Sequence, residues 1–321
     1  MFNNTHFPKA KKYWYMGKLY DWSTAIIHSM THALHYGTSV FEGIRAYSTG
    51  DGPAIFRLED HVDRFLHSAS FLKMDVPYSK QEIINAILLV MRENQLKSAY
   101  IRPLLFYSYG NLGLNPKACP VELCIAVWEW GAYLGERSRQ GVHVYILPWK
   151  RVHYSQYDMA AKLGGIYVQS TFCGLIAREK GCDEGVFLNL EGNVAEGPGE
   201  NIFLIKDGVL KTNDRTESVL EGITRLSILK IAENLGIQTK IGHMTKEEFC
   251  HADEALFTGT AVEIVPIIKI TDGSNPDTAE KKCAIGDGKV GPITKKLMTT
   301  YKEIVTGKHN KYSGWLIHVN S

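Results

Sequence analysis

A Gly-bracketed polar stretch, Gly131-Ala132-Tyr133-Leu134-Gly135-Glu136-Arg137-Ser138-Arg139-Gln140-Gly141, separates two strand-like runs, Val121 to Trp130 and Val142 to Leu147. It is the clearest shift in composition along a chain without repeats or low-complexity tracts, and it predicts two domains. The expected partition is 1–132 for a smaller N-terminal domain, 133–141 for a linker and 142–321 for a larger C-terminal domain. A length of 321 residues fits that division at about 150 residues per domain.

Both halves mix helices and strands. In the first, Leu58, Val62, Phe65, Leu66, Ala69 and Leu72 recur at helical spacing, and Ser79-Lys80-Gln81-Glu82 is a capping box opening a helix that runs to Asn94. Ala99 to Tyr107 reads as a strand with Tyr100, Arg102, Leu104 and Phe106 on one face. Pro103 favours an edge position there, with Arg102 in solvent. In the second half, Val168, Phe172, Leu175 and Ile176 mark a helix ending at Gly181, followed by a strand from Gly185 to Leu190. Asn201 to Ile205, Asp207-Gly208 and Val209 to Thr212 form a hairpin signal. Thr224 is the expected N-cap of a helix striped by Ile228, Ile231, Ala232 and Leu235 and closed by Gly236. Strict βαβ alternation is missing, so the class is α+β rather than doubly wound.

Several function classes drop out. With 36 Lys+Arg against 34 Asp+Glu, no basic field exists to hold a nucleic-acid backbone. The longest apolar run, Ala86 to Met91, is too short to span a bilayer, and Met1 to His6 has neither an apolar signal core nor a transit pattern. The cysteines at 119, 124, 173, 182, 250 and 283 include no C-x-x-C pair, which indicates neither zinc nor a disulfide framework and points to a reducing, cytoplasmic setting. Gly286-Asp287-Gly288-Lys289-Val290-Gly291 matches G-x-G-x-x-G but lacks a strong preceding strand. His28, His32 and His35 would align on a helix face, with a surface or core-polar role favoured over metal binding; no metal site is expected.

Three local patterns carry chemistry. Met159-Ala160-Ala161-Lys162-Leu163-Gly164-Gly165-Ile166-Tyr167 sets one lysine among small and apolar neighbours, with glycines that admit close approach by something bulky. Desolvation lowers such an amine towards the neutral, nucleophilic form; the alternative is a lysine reaching water, partnered by Asp158. Asn193-Val194-Ala195-Glu196-Gly197-Pro198-Gly199-Glu200-Asn201 holds a carboxylate in a rigid turn, able to keep a heterocyclic nitrogen protonated or, alternatively, simply solvated. Leu220-Glu221-Gly222-Ile223-Thr224-Arg225 opens a helix whose free N–H groups suit a phosphate, although many such helix starts bind nothing. Lysine, carboxylate and helix start together are the parts of a pyridoxal-phosphate site.

The chain resembles the branched-chain amino-acid aminotransferases, of fold-type IV among the pyridoxal-phosphate enzymes. The resemblance rests on His32-Ala33-Leu34-His35-Tyr36-Gly37-Thr38-Ser39-Val40-Phe41-Glu42-Gly43-Ile44-Arg45, Tyr100-Ile101-Arg102-Pro103 and Trp130 to Gly135. It continues through the Lys162 and Glu196 segments, Gly222 to Arg225 and Thr258-Gly259-Thr260-Ala261. It implies an α+β fold with an N-terminal α/β domain and a C-terminal mixed or antiparallel sheet domain flanked by helices. The implied activity is ping-pong transfer of the amino group of leucine, isoleucine or valine to 2-oxoglutarate, giving the 2-oxo acid and L-glutamate.

By that resemblance the cofactor is pyridoxal 5′-phosphate, joined to Lys162, with Glu196 on the pyridine nitrogen and Tyr167 on the phenolic oxygen. Arg64, Ile223, Thr224 and Thr260 would hold the phosphate, and Leu220 would pack on the ring. Tyr36, Phe41, Tyr100 and Tyr133 are similar to the substrate pocket, Arg102 to the arginine that meets glutamate's distal carboxylate, and Thr260 and Ala261 to donors for the α-carboxylate. Two departures stand out: Ile166 where close relatives often carry Asn, and a varied loop from Gly110 to Pro116 that in the family reaches a neighbouring subunit. A homodimer or larger homo-oligomer is therefore expected, with no nucleic-acid or membrane partner.

Overall fold

The computed structural model describes residue 7, residues 9–131 and residues 134–320. It divides into two units. The first takes the described residues up to Gly131, Ala160–Ile166 and the stretch from Glu303 onward; the second takes those of 132–159 and Tyr167–Lys302. The expected C-terminal domain, 142–321 in one piece, thus gives up two segments to the first unit. Strand pairing explains both: Leu316–His318 runs antiparallel to Gly52–Phe56, and Leu163 bridges Val40.

An eight-stranded sheet forms the first unit, in the order Leu316–His318, Gly52–Phe56, Ile44–Thr49, Ala99–Tyr107, Val121–Trp128, Lys12–Tyr15, Lys18–Asp21, with Ser39–Phe41 also paired to Ala99–Tyr107. All of its pairings are antiparallel. The helices Leu58–Phe71 and Lys80–Asn94 carry the stripes read from sequence, and Val62, Phe65, Ile83 and Ile87 join Ile44, Ile101 and Ile125 in one buried core. The capping box is present in full: Ser79 Oγ accepts the Glu82 N–H while the Glu82 carboxylate accepts the Ser79 N–H.

The edge position suggested by Pro103 is corrected by the structure, because Ala99–Tyr107 has neighbours on both sides. The Glu42 N–H donates to the Pro103 carbonyl at 3.0 Å. A strand residue's N and C=O point to the same side, so the proline nitrogen faces Glu42-Gly43, the break between Ser39–Phe41 and Ile44–Thr49. A missing donor is tolerated at that gap in an otherwise continuous ladder.

The second unit has its own eight-stranded sheet: Thr239–Ile241, Val209–Thr212, Asn201–Lys206, Glu254–Gly259, Glu263–Asp272, Val142–Lys150, Glu184–Leu188, with Lys281–Ala284 paired to Glu263–Asp272. Parallel and antiparallel pairs mix. The expected hairpin closes on Asp207 and Gly208, both at positive φ (49° and 77°), as a two-residue turn requires. The helix Tyr167–Glu179 packs on Glu184–Leu188, which is buried throughout. Where Thr224 was expected to cap a helix, Gly222 does so for Ile223–Asn234, because the Leu226 N–H already bonds the Gly222 carbonyl. Gly286–Gly291 leads into Pro292–Val305, but the Glu254 carboxylate accepts the Ile293 and Thr294 N–H groups at 3.0 and 2.7 Å. An acidic side chain thus fills that helix start.

Replacing Ser79 with Ala removes one half of the capping box. The variant should lose about 1 kcal/mol of stability, seen as a lower urea midpoint with an unchanged m-value.

Candidate active site

Lys162 lies in an irregular stretch stitched to the first sheet. Its N–H donates to Ser68 Oγ at 2.8 Å, its carbonyl accepts the Phe41 N–H at 3.3 Å, and Leu163 bridges Val40. The glycines that follow serve this backbone docking rather than admitting a bulky ligand: a Cβ on Gly164 would stand 2.1 Å from Ser39 Oγ. The lysine is thereby held by backbone, with its half-buried side chain over the Phe41 ring, Nζ 4.9 Å from the centroid.

Charges around the amine are fixed by one buried carboxylate. Glu42 is fully buried and takes a two-pronged bond from Arg64, Nε to Oε1 at 2.6 Å and Nη2 to Oε2 at 2.9 Å. His61 Nδ1, also buried, lies 2.8 Å from Oε2. Burial alone would raise the Glu42 pKa; Arg64 and then His61 outweigh it and hold the carboxyl well below its usual range. Burial is also the main influence on His61 and lowers its pKa, so a neutral ring donates to the ionised Glu42. For Lys162, burial first and Arg64 second bring the amine from 10.5 down to about 8, against the opposing pull of Glu42 and Tyr100.

Of the other residues singled out in the first unit, Phe41, Tyr100 and Arg102 come together. The Arg102 guanidinium carbon is 4.7 Å from the Phe41 ring centroid and 5.4 Å from that of Tyr100. The Arg102 Nε is buried with no hydrogen-bond acceptor among the described residues. Tyr100 is buried against Gly43, where a Cβ would sit 1.9 Å from its hydroxyl. Tyr36, largely exposed, donates its hydroxyl to the Leu112 carbonyl at 2.9 Å. Tyr133 lies outside the described residues. The proposed histidine row does not form on one helix, since only His32–Tyr36 is helical; His32 is buried, within 2.8 Å of Thr38 Oγ1 and 2.9 Å of the Gly113 carbonyl.

The second unit contributes a separate group. Glu196 is buried beside Glu184–Leu188, its carbonyl accepting the Phe187 N–H. Arg151 places Nε and Nη2 each 2.9 Å from Glu196 Oε1, and the Leu220 N–H donates to Oε2 at 3.0 Å. This excludes the solvated-turn alternative for Glu196. Arg151 also donates Nη1–H to Gln169 Oε1 at 3.1 Å, and Gln169 is anchored to the Lys150 carbonyl. Ile223 and Thr224 occupy the first turn of their helix and are buried. No acceptor binds their N–H groups among the described residues, which leaves two helix-start donors for an anion. Thr260 and Ala261 form the half-buried turn between Glu254–Gly259 and Glu263–Asp272, and half-buried Tyr167 begins its helix.

Taken separately, each unit holds groups whose chemistry suits a pyridoxal phosphate: in the first an amine of lowered pKa, in the second an arginine-held carboxylate able to face a ring nitrogen and two helix-start N–H groups able to face a phosphate. No cluster of metal-ligating side chains occurs among the described residues. Glu42, His61, Ser68 and Arg151 were not singled out by sequence reasoning. Arg151 carries no local motif, and its only signal is a buried Glu196 that must find a counter-charge.

The family model for class IV aminotransferases matches residues 39–270. A branched-chain-amino-acid aminotransferase from Pseudomonas aeruginosa is 44% identical over 303 residues, covering 94% of this chain and 95% of that one. A crystal structure of a T.th. branched-chain amino acid aminotransferase with pyridoxamine 5′-phosphate superposes with a TM-score of 0.90 at 42% identity, covering 97% of this chain and 99% of that one. A T.th. structure complexed with N-(5′-phosphopyridoxyl)-L-glutamate gives 0.89 at 40% identity, covering 97% and 99%. The fold is therefore that of class IV aminotransferases, and the chain belongs to their branched-chain-amino-acid aminotransferase family.

In the cofactor-stripped protein, the reactivity of Lys162 towards a small aldehyde should rise with pH through about 8, since only the deprotonated amine attacks. Peptide mapping of borohydride-fixed adducts across pH checks this, and a midpoint near 10.5, the ordinary lysine value, would refute the assigned environment.

Proposed function

We propose that this chain transfers the amino group of leucine, isoleucine or valine to 2-oxoglutarate, yielding the branched 2-oxo acid and L-glutamate by a ping-pong cycle with pyridoxal 5′-phosphate. The observation that carries this reading is the backbone-anchored Lys162, its amine brought to about 8 amid Phe41, Arg64 and Arg102. Membership of the family supports each assignment that follows.

Lys162 Nζ holds the cofactor's aldehyde carbon, Glu196 its pyridine nitrogen and Tyr167 its phenolic oxygen. Arg64, Ile223, Thr224 and Thr260 hold the phosphate, and Leu220 packs on the ring. When bound, the cofactor supplies an electron sink for the pair released at the substrate's Cα. Once the substrate's own amine has displaced it from the aldehyde carbon, the freed Lys162 amine would take the Cα proton and keep it for redelivery, a task suited to a group whose pKa lies near the working pH. Glu196, oriented by Arg151 and Leu220, supplies fixed negative charge at the ring nitrogen.

The substrate pocket is assigned to Tyr36, Phe41, Tyr100 and Tyr133, with Thr260 and Ala261 donating to the α-carboxylate. An aromatic wall suits the branched aliphatic chain. Arg102 serves the distal carboxylate of glutamate or 2-oxoglutarate, and its unaccepted Nε gains a partner when that anion arrives. The T.th. complex with a glutamate-linked cofactor supports a glutamate arm. We assign the chain to a homodimer or larger homo-oligomer, supported by exposed Ile26, Ile27 and Leu34 beside a cavity of about 360 Å³ lined also by Tyr13, Leu104 and Phe106. Six cysteines without disulfides support a cytoplasmic setting. No helix among the described residues is long and apolar enough to cross a membrane.

A donor panel with 2-oxoglutarate tests the reaction: L-leucine, L-isoleucine and L-valine should be turned over and D-alanine should not. Borohydride should fix the yellow chromophore on the peptide containing Lys162. Arg102→Ala should lower kcat/KM for glutamate by about 100-fold, the scale of a lost charge-assisted bond pair, and for leucine far less. Equal losses with both donors would remove Arg102 from the proposed role.

A further inference from the structure

The Glu196 carboxylate and the Ile223–Thr224 helix start are joined by one backbone turn, Leu220-Glu221-Gly222, and two buried asparagines strap this arrangement together. Asn201, the first residue of its strand, donates Nδ2–H to the Leu220 carbonyl at 2.7 Å and accepts the Gly222 N–H on Oδ1 at 3.1 Å. Leu220 itself donates to Glu196 Oε2 at 3.0 Å. The approach is close: a Cβ on Gly222 would stand 2.2 Å from Asn201 Oδ1, although its φ of −66° suits any residue. The glycine is therefore demanded by the strap and not by backbone conformation.

Asn213 supplies the second tie. It is fully buried and donates Nδ2–H to the carbonyls of Val194 and Ala195 at 2.8 and 2.6 Å, the two residues preceding Glu196. Its own carbonyl accepts Arg225 Nη2–H at 2.6 Å, and Arg225, buried as well, directly follows Thr224. One path of hydrogen bonds thus runs from Glu196 through Leu220 and Asn201 to the helix cap, and another from the Glu196 backbone through Asn213 to Arg225. Neither asparagine carries a charge or a nucleophile, so what each contributes is geometry.

We infer that Asn201 and Asn213 are positioning residues that keep the Glu196 carboxylate and the Ile223–Thr224 N–H groups in one register, so that the nitrogen end and the phosphate end of a pyridoxal phosphate are bound as a unit. The inference rests on the roles given to Glu196 and the helix start under the proposed function. A rigid aromatic phosphate ester has a set span between its ring nitrogen and its phosphorus. A shift in spacing between the two binding groups therefore weakens one contact or the other.

Calorimetry on cofactor-stripped protein with pyridoxal 5′-phosphate, inorganic phosphate and unphosphorylated pyridoxal tests the coupling, together with pH titration of the bound chromophore. Asn201→Ala and Asn213→Ala should each weaken pyridoxal 5′-phosphate at least about tenfold, weaken both fragments, and shift the chromophore titration. Asn201→Asp, which retains the acceptor for Gly222, should fall between wild type and Asn201→Ala and replaces it if the alanine variant does not fold. A variant that weakens only inorganic phosphate, with pyridoxal affinity and chromophore titration unchanged, would reduce the asparagines to local helix caps and overturn the proposal. Failure of the underlying reading shows separately, as a Glu196→Gln protein whose pyridoxal affinity and spectrum match wild type.

Discussion

Two carboxylates removed from water, each clasped by one arginine, set the electrostatics of this protein. Glu42 with Arg64 and Glu196 with Arg151 are buried pairs whose desolvation cost is offset only because nearly every oxygen lone pair has a directed donor. Such pairs contribute little net stability over apolar packing, yet removal of one partner leaves an isolated buried charge. Their contribution is orientation: a carboxylate that cannot rotate freely is a fixed field for whatever lies beside it.

The first pair acts on Lys162. Burial first and Arg64 second disfavour the ammonium while Glu42 favours it, so the balance leaves an amine that is neither permanently charged nor costly to protonate. Backbone bonds to Ser68 and Phe41 fix where the side chain leaves the main chain. The bland reading of this lysine as a long side chain in open solvent does not describe it: the side chain is half-buried and lies over the Phe41 ring. The second pair does the same for Glu196, which in isolation reads as an ordinary turn residue.

Local features were the readable ones. The capping box at Ser79–Glu82, the Asp207-Gly208 hairpin and the strand Ala99–Tyr107 are settled by interactions within a few residues or by period-two alternation, and they stand where the residues placed them. Pro103 misled because its edge preference assumes an unbroken neighbour, whereas here two short strands share one flank and leave a gap opposite the proline. The Thr224 hydroxyl suggests a cap, but the Gly222 carbonyl already accepts the Leu226 N–H, and the Gly222 N–H is satisfied by Asn201 from a distant strand. The glycines after Lys162 look like room for a ligand and in fact admit Ser39 and Gly37.

The sequence by itself determined the α+β character, most helix and strand positions, the kinship, and the lysine, carboxylate and helix start to which the proposed chemistry is assigned. Each of these is carried by residue type and short-range spacing. Only the tertiary structure decided that Lys162 and the C-terminal strand belong with the first sheet, that Arg151 is the counter-charge of Glu196, and that Asn201 and Asn213 brace the turn between carboxylate and helix. Those outcomes depend on which distant segments share a hydrogen bond, and a buried polar group can be satisfied by a partner at any separation along the chain.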